Sequence, residues 1–160
     1  MRDEERGILI IGIGNPHRQD DGVGIAVARA LAACALPATV VVEQAMAGPA
    51  LLELWQGFAT VIAIDALAGG VSPGRWHVMD AHTEPFPHRA AVDSSHGFGL
   101  AETIELARVL TLLPPALTLY GVEGAAFGFG EGLSPAVAKQ VPALVVQICN
   151  NVRALAGGSS

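Results

Sequence analysis

Short continuous apolar runs alternate along the chain with stretches whose apolar residues recur every three or four positions, the pattern of buried strands separated by amphipathic helices. The run from about Gly7 to Ile13 predicts a buried strand, and Ile25, Ala28 and Leu31 or Ala32 mark one face of a helix over Gly22 to Ala33. Thr39 to Val42 is β-branched and predicts a second strand with Glu43 at its carboxyl end. Pro49 suits the first turn of a short helix through Leu51, Leu52 and Leu54 to about Gln56. Thr60 to Ile64 reads as a third buried strand ending on Asp65.

The turn-forming residues Gly69 to Gly74 leave no room for a crossover helix, so the next strand, Arg75 to Met79, is expected to run antiparallel. Residues 80–95 are polar and lack a period, which predicts a long surface loop that could serve as a lid or docking segment. A helix over Leu100 to Leu112 stops at Pro114 and Pro115, and Leu117 to Val122 forms a strand ending at Glu123. After the glycine-rich Gly124 to Gly132, Ser134 and Pro135 open a last helix with Val137, Val141, Leu144, Ile148 and Val152 on one stripe. These elements predict an α/β fold: a three-layer αβα sandwich around a five-stranded, mostly parallel twisted sheet with one antiparallel strand and helices on both faces. One domain is expected over residues 1–156, with 157–160 a disordered tail.

If four strands run parallel, their carboxyl ends share one edge, where open α/β sheets gather ligands. That edge would receive Asp21, Glu43, Asp65 and Glu123, and His96, just ahead of a helix, can join them. Carboxylates crowded this closely take up protons unless a cation offsets their repulsion. Two carboxylates and an imidazole would suit zinc, nickel, manganese or iron, with positions left open for substrate. Glu43 and Glu123 read better as groups that orient substrate or the ligands themselves. Asp20 could instead cap the helix, and Asp65 or His96 could each serve a structural end. His17, His77, His82 and His88 read as solvated surface residues.

Other chemistries fare worse. Gly12 and Gly14 suggest a dinucleotide loop, but His17 stands where the third glycine belongs and Pro16 removes an N–H that a phosphate would use. Ser94 and Ser95 beside His96 are badly placed for a serine–histidine pair, whose side chains must oppose one another in space. Cys34 and Cys149 show no CxxC spacing and read as buried thiols.

Composition narrows the picture further. A net charge of −6 with only nine scattered Lys and Arg argues against nucleic acid as the main partner. The chain is 51% hydrophobic, yet no apolar run approaches the ~20 residues of a membrane span. MRDEERG passes from charges straight into a strand without an apolar leader, so no membrane partner and a cytoplasmic location are expected.

Several motifs together carry a resemblance: the opening GIGNPHRQDDGVG, the acid after the second strand with its following glycine (Glu43 to Gly48), VIAIDAL around Asp65, SSHGFGL around His96, LYGVEG and GLSPAV. In this order and over nearly the whole chain, the sequence resembles the hydrogenase maturation proteases, endopeptidases that trim the large subunit of nickel–iron hydrogenases. The resemblance implies that Asp21, Asp65 and His96 contact nickel and carry the reaction, with Asp20, Glu43 and Glu123 as secondary candidates. Spacing leaves open whether Asp20 or Asp21 faces the metal; we choose Asp21. The implied reaction removes a carboxyl-terminal extension from the large-subunit precursor after nickel insertion, the nickel being supplied by that precursor. The alternative is a non-enzymatic nickel carrier acting in hydrogenase assembly.

Overall fold

The computed structural model describes residues 7–83 and 99–158. Strands β1 (Ile8–Ile13), β2 (Thr39–Gln44), β3 (Thr60–Leu67), β4 (Trp76–Asp80) and β5 (Ala116–Glu123) form one sheet in the order β2-β1-β3-β5-β4. β1 pairs in parallel with β2 and β3, and β3 in parallel with β5, whereas β4 runs antiparallel to β5. The sheet is therefore mixed, with its single reversed strand at one edge, as the short 69–74 turn requires.

Alternation along each strand divides the apolar side chains between two cores. Leu9, Ile11, Val61, Ala63, Leu117 and Leu119 face the layer made by α2 (Pro49–Leu54) and α3 (Leu100–Val109), which contribute Leu51, Leu52, Leu100 and Ile104. Ile8, Ile10, Ile62, Ile64, Tyr120 and Val122 face α1 (Val23–Ala33) and α5 (Val141–Gly157) through Val23, Val27, Leu31, Leu144 and Ile148. Helices thus cover both faces, and the fold is the expected αβα sandwich.

The helix α1 lies unusually close to the sheet. A Cβ on Gly24 would fall 2.3 Å from the Ile64 carbonyl oxygen and 2.6 Å from that of Ile13, so only glycine lets the helix start rest on β1 and β3. The sheet-to-helix passage includes a 3-10 turn, Gln19–Gly22, which carries both adjacent aspartates.

Several sequence expectations need correction. The last helix is two: α4 (Pro135–Ala138) and α5 (Val141–Gly157). Pro142 sits in the first turn of α5 and has no N–H to continue the ladder from α4, which breaks the helix there. Gly157 belongs to α5 and Gly158 caps it with an N–H bond to the Ala154 carbonyl; residues 159–160 of the expected tail lie outside the described residues. β3 runs two residues beyond Asp65, which places that carboxylate within the strand rather than after it.

Cys34 is exposed, where a buried thiol was expected; Cys149 is buried as expected. His82 is exposed, as expected, and His77 is half-buried, and each holds a partner. His82 Nε2 donates to the Pro114 carbonyl at 2.7 Å, and His77 pairs with Glu123. No described helix is long and apolar enough to cross a membrane.

Candidate functional site

Three segments build the carboxyl edge of the sheet: the 14–22 passage after β1, the end of β3 and the 124–134 loop after β5. Register puts Gly12 beside both Glu43 and Ile64, and puts Asp65 beside Gly121. The acids that follow β1 or stand in the carboxyl-terminal parts of β2, β3 and β5 therefore do reach one edge. Their side chains have different fates there.

Asp20 is fully buried and fully engaged. Its carboxylate accepts from the backbone N–H groups of Ala125 (2.8 Å), Ala126 (3.0 Å) and Ser134 (2.7 Å), and from the Ser134 hydroxyl (2.8 Å). Burial alone would raise its pKa, but the bonds from Ser134, Ala126 and Ala125 outweigh that and hold it below the usual carboxylate range. Such a carboxylate joins the 3-10 turn to the loop after β5 and has little capacity left for a ligand.

Asp21 is turned elsewhere. Its Oδ2 accepts the Asn15 N–H at 2.9 Å, and the residue is only partly buried. Gly14 makes room for this arrangement: its φ is +143°, and a Cβ there would lie 1.9 Å from the Asp21 carbonyl oxygen. The charge of Asp21 is close enough to Asp65 to repel it.

Asp65 shares the odd-numbered face of β3 with Val61 and Ala63. The residue keeps partial solvent contact, but its carboxyl is enclosed by protein, and Oδ1 accepts the Ala66 N–H at 2.8 Å. Burial pushes the group up to about 8; the Ala66 bond opposes this and the Asp21 charge adds to it. Asp21 and Asp65 are thus two neighbouring carboxylates at the ligand edge of an α/β sheet, one of them holding its proton at neutral pH.

The secondary candidates are committed to other partners. Glu43 is exposed and accepts from two Arg29 nitrogens, Nη2 at 2.9 Å and Nε at 3.1 Å, which ties β2 to α1. Glu123 is buried, 3% exposed, and bonds His77 Nε2 at 3.1 Å. The His77 bond, with help from the Ser72 backbone and the Arg75 charge, holds its pKa low against the effect of burial. These contacts clamp β4 and its preceding turn to β5.

His96 lies outside the described residues, as do Ser94, Ser95 and His88. Among the described residues no three His, Cys, Asp or Glu side chains come together as a metal-holding group. An open groove of about 380 Å³ lined by Ser72, Pro73, Gly74, Arg75, Trp76 and Gln140 contains none of the site residues. Sequence reasoning missed Asn15, whose backbone N–H orients Asp21, and the role of His77. The PHR segment that follows Asn15 also draws the loop after β5 alongside, through Gly130 N–H to the His17 carbonyl.

An α/β sandwich with paired carboxylates at its sheet edge defines a class of domain that the comparisons with known proteins resolve further. The sequence model of the hydrogenase maturation protease family HycI matches residues 25–151. The hydrogenase expression/formation protein HupD of Rhodobacter capsulatus is 30% identical over 150 residues, spanning 92% of this chain and 71% of that protein. Among solved structures, the hydrogenase maturating endopeptidase HybD from E. coli superposes with a TM-score of 0.70 at 25% identity over 92% of each chain. The maturation protease HycI from Thermococcus kodakarensis KOD1 shares the fold with a TM-score of 0.72 at 22% identity, over 94% of each chain. The chain belongs to the hydrogenase maturation protease family.

Proposed function

We propose that this protein is the endopeptidase that removes the carboxyl-terminal extension of a nickel–iron hydrogenase large-subunit precursor once nickel is in place, with that nickel as the recognition signal. The observation that carries the reading is the pairing of Asp21 and Asp65 at the carboxyl edge of the sheet, each anchored through one backbone N–H bond. Among the described residues neither carboxylate is bonded to a basic side chain, whereas Glu43 pairs with Arg29 and Glu123 with His77. The Asp21 charge helps to keep the neighbouring Asp65 protonated, so the pair favours the arrival of a cation, which would release that proton, over a second negative charge.

Asp21, Asp65 and His96 offer oxygen and nitrogen donors. Thiolates in the precursor would hold nickel more tightly, so a protein with this donor set would not strip the metal but could complete a partly filled coordination shell. Bound against the site, the nickel would bring the scissile segment beside the acids. A carboxylate there can take a proton from water as general base, and the unionised carboxyl can return one to the leaving amine. His96, which the sequence sets three residues before Gly99, the residue that precedes α3, is the proposed third contact.

The test is incubation of the protein with purified large-subunit precursor, with and without nickel loaded, read by mass spectrometry. The expected result is loss of a carboxyl-terminal peptide from the loaded precursor alone, abolished by Asp65→Asn and by His96→Ala. Equal cleavage of nickel-free precursor would remove nickel as the signal. An intact precursor from which nickel has passed to or from this protein would make it a carrier.

A further inference from the structure

The loop after β5 displays an aromatic side chain that nothing in the fold requires. Phe129 is 90% exposed, so its ring holds apolar surface in water that a partner could cover. It does not sit on a loose tip. The adjoining Gly130 forms a parallel bridge with Arg18, accepting the Gln19 N–H and donating to the His17 carbonyl, both at 2.9 Å. Arg18 Nη2 donates to the Phe127 carbonyl at 3.3 Å, and Asp20 pins Ala125, Ala126 and Ser134. The Arg18 guanidinium lies 5.4 Å from the centre of the Phe129 ring, which orients the ring and adds a charge beside it.

Other exposed apolar side chains follow strand ends on the same edge of the sheet. Among the described residues, the large apolar ones more than 60% exposed are Val71 (94%), Phe129 (90%), Val109 (78%) and Met46 (61%). Val71, Phe129 and Met46 follow the carboxyl ends of β3, β5 and β2, the edge that carries Asp21 and Asp65; Val109 ends α3. Aromatic, methionine and arginine side chains are the types that dominate protein–protein contacts.

We infer that Arg18 and Phe129 form the docking anchor for the folded body of the protein substrate. The matching surface on the partner is an apolar side chain that packs on the open face of Phe129, whose ring Arg18 holds in place. The substrate is favoured over a second copy of this chain by continuity with the site. Arg18 and Asp21 belong to one turn, closed by the Asp21 N–H bond to the Arg18 carbonyl at 3.2 Å, so whatever covers Phe129 lies beside the carboxylates. A second copy there would cover the site it serves.

This inference rests on the proposed function, and kinetics with the nickel-loaded precursor separates the two. Phe129→Ala, whose ring is solvent-exposed, should leave the thermal unfolding midpoint unchanged. It should raise KM about tenfold or more, as expected for losing an interface anchor, while kcat stays within about twofold; Phe129→Tyr should restore KM. If the wild type cleaves and Phe129→Ala cleaves with unchanged KM, the anchor is wrong and the functional reading stands. A switch from dimer to monomer in Phe129→Ala with unchanged KM would overturn the anchor in favour of self-association. If the wild type leaves the loaded precursor intact, the functional reading falls and the anchor with it.

Discussion

Replacing Asp65 by Asn should stabilise the metal-free protein while removing its activity, and the gain should grow with pH. The folded state holds the Asp65 carboxyl up to about 8, against an ordinary value of 3.8. Below the ordinary value both folded and unfolded chains are protonated, and the group contributes nothing to pH dependence. Between the two values the unfolded chain is ionised while the folded chain keeps its proton, so unfolding releases a proton and stability falls as pH rises. At about 1.36 kcal/mol per pH unit, the wild type should lose roughly 2–3 kcal/mol between pH 5 and pH 7 through this group alone.

Asparagine is nearly isosteric, can still accept the Ala66 N–H, and has no charge to bury. The difference between variant and wild type isolates Asp65, because all other titrating groups are shared. Thermal unfolding followed by circular dichroism, in chelator at pH 5, 6, 7 and 8, reads it directly. A difference of 2–3 kcal/mol corresponds to about 4–12 °C in midpoint for a domain of this size. Parallel midpoint curves for the two proteins across this range would refute the enclosed, proton-holding carboxyl.

The neighbouring acids should behave in other ways. Asp20→Ala leaves four donors without their acceptor and should cost about 3–5 kcal/mol, measured by urea unfolding; because the folded pKa of Asp20 is lowered, its contribution is present above the ordinary carboxylate value and lost as pH falls through the folded one. Glu43→Gln removes an exposed pair with Arg29 and should leave the unfolding midpoint nearly unchanged, with cleavage of the loaded precursor retained; loss of cleavage would bring Glu43 into the site.

Much of the architecture was legible because it depends on local pattern. Strand alternation, the short 69–74 turn and the prolines at helix starts all act within a few residues, and the mixed sheet follows from them. The opening glycines were also visible, and their lack of a third phosphate-loop glycine was informative. What Gly24 actually does, admitting α1 against the carbonyls of Ile13 and Ile64, depends on a strand some forty residues away. The split between α4 and α5 was in plain view at Pro142. The apolar stripe from Val137 to Val152 continues across the break and hid it.

The fates of the edge acids were not legible, because lateral strand order decides them. Glu43 meets Arg29 because β2 lies at the edge beside α1, and Glu123 meets His77 because β4 turns back to pair with β5. Adjacent aspartates at the start of a helix look equivalent in sequence. In a 3-10 turn, consecutive side chains point about 120° apart, so one enters the loop after β5 while the other accepts Asn15 near Asp65. The donors that claim Asp20 are Ala125, Ala126 and Ser134, more than a hundred positions away, and no spacing rule reaches them.

That division explains why two acids stand together here. A carboxylate beside Asp65 is electrostatically costly, and left to itself the turn would rotate Asp21 toward water. Asp20 prevents this by fixing the turn from its other side with four hydrogen bonds, while Asn15 holds the Asp21 carboxylate directly. The stability supplied at Asp20 thereby offsets the cost of keeping Asp65 un-ionised beside the Asp21 charge, and holds the turn in place. Weakening Asp20 should accordingly free the turn as well as lower stability, so Asp20→Asn should lose activity at temperatures well below its own unfolding midpoint.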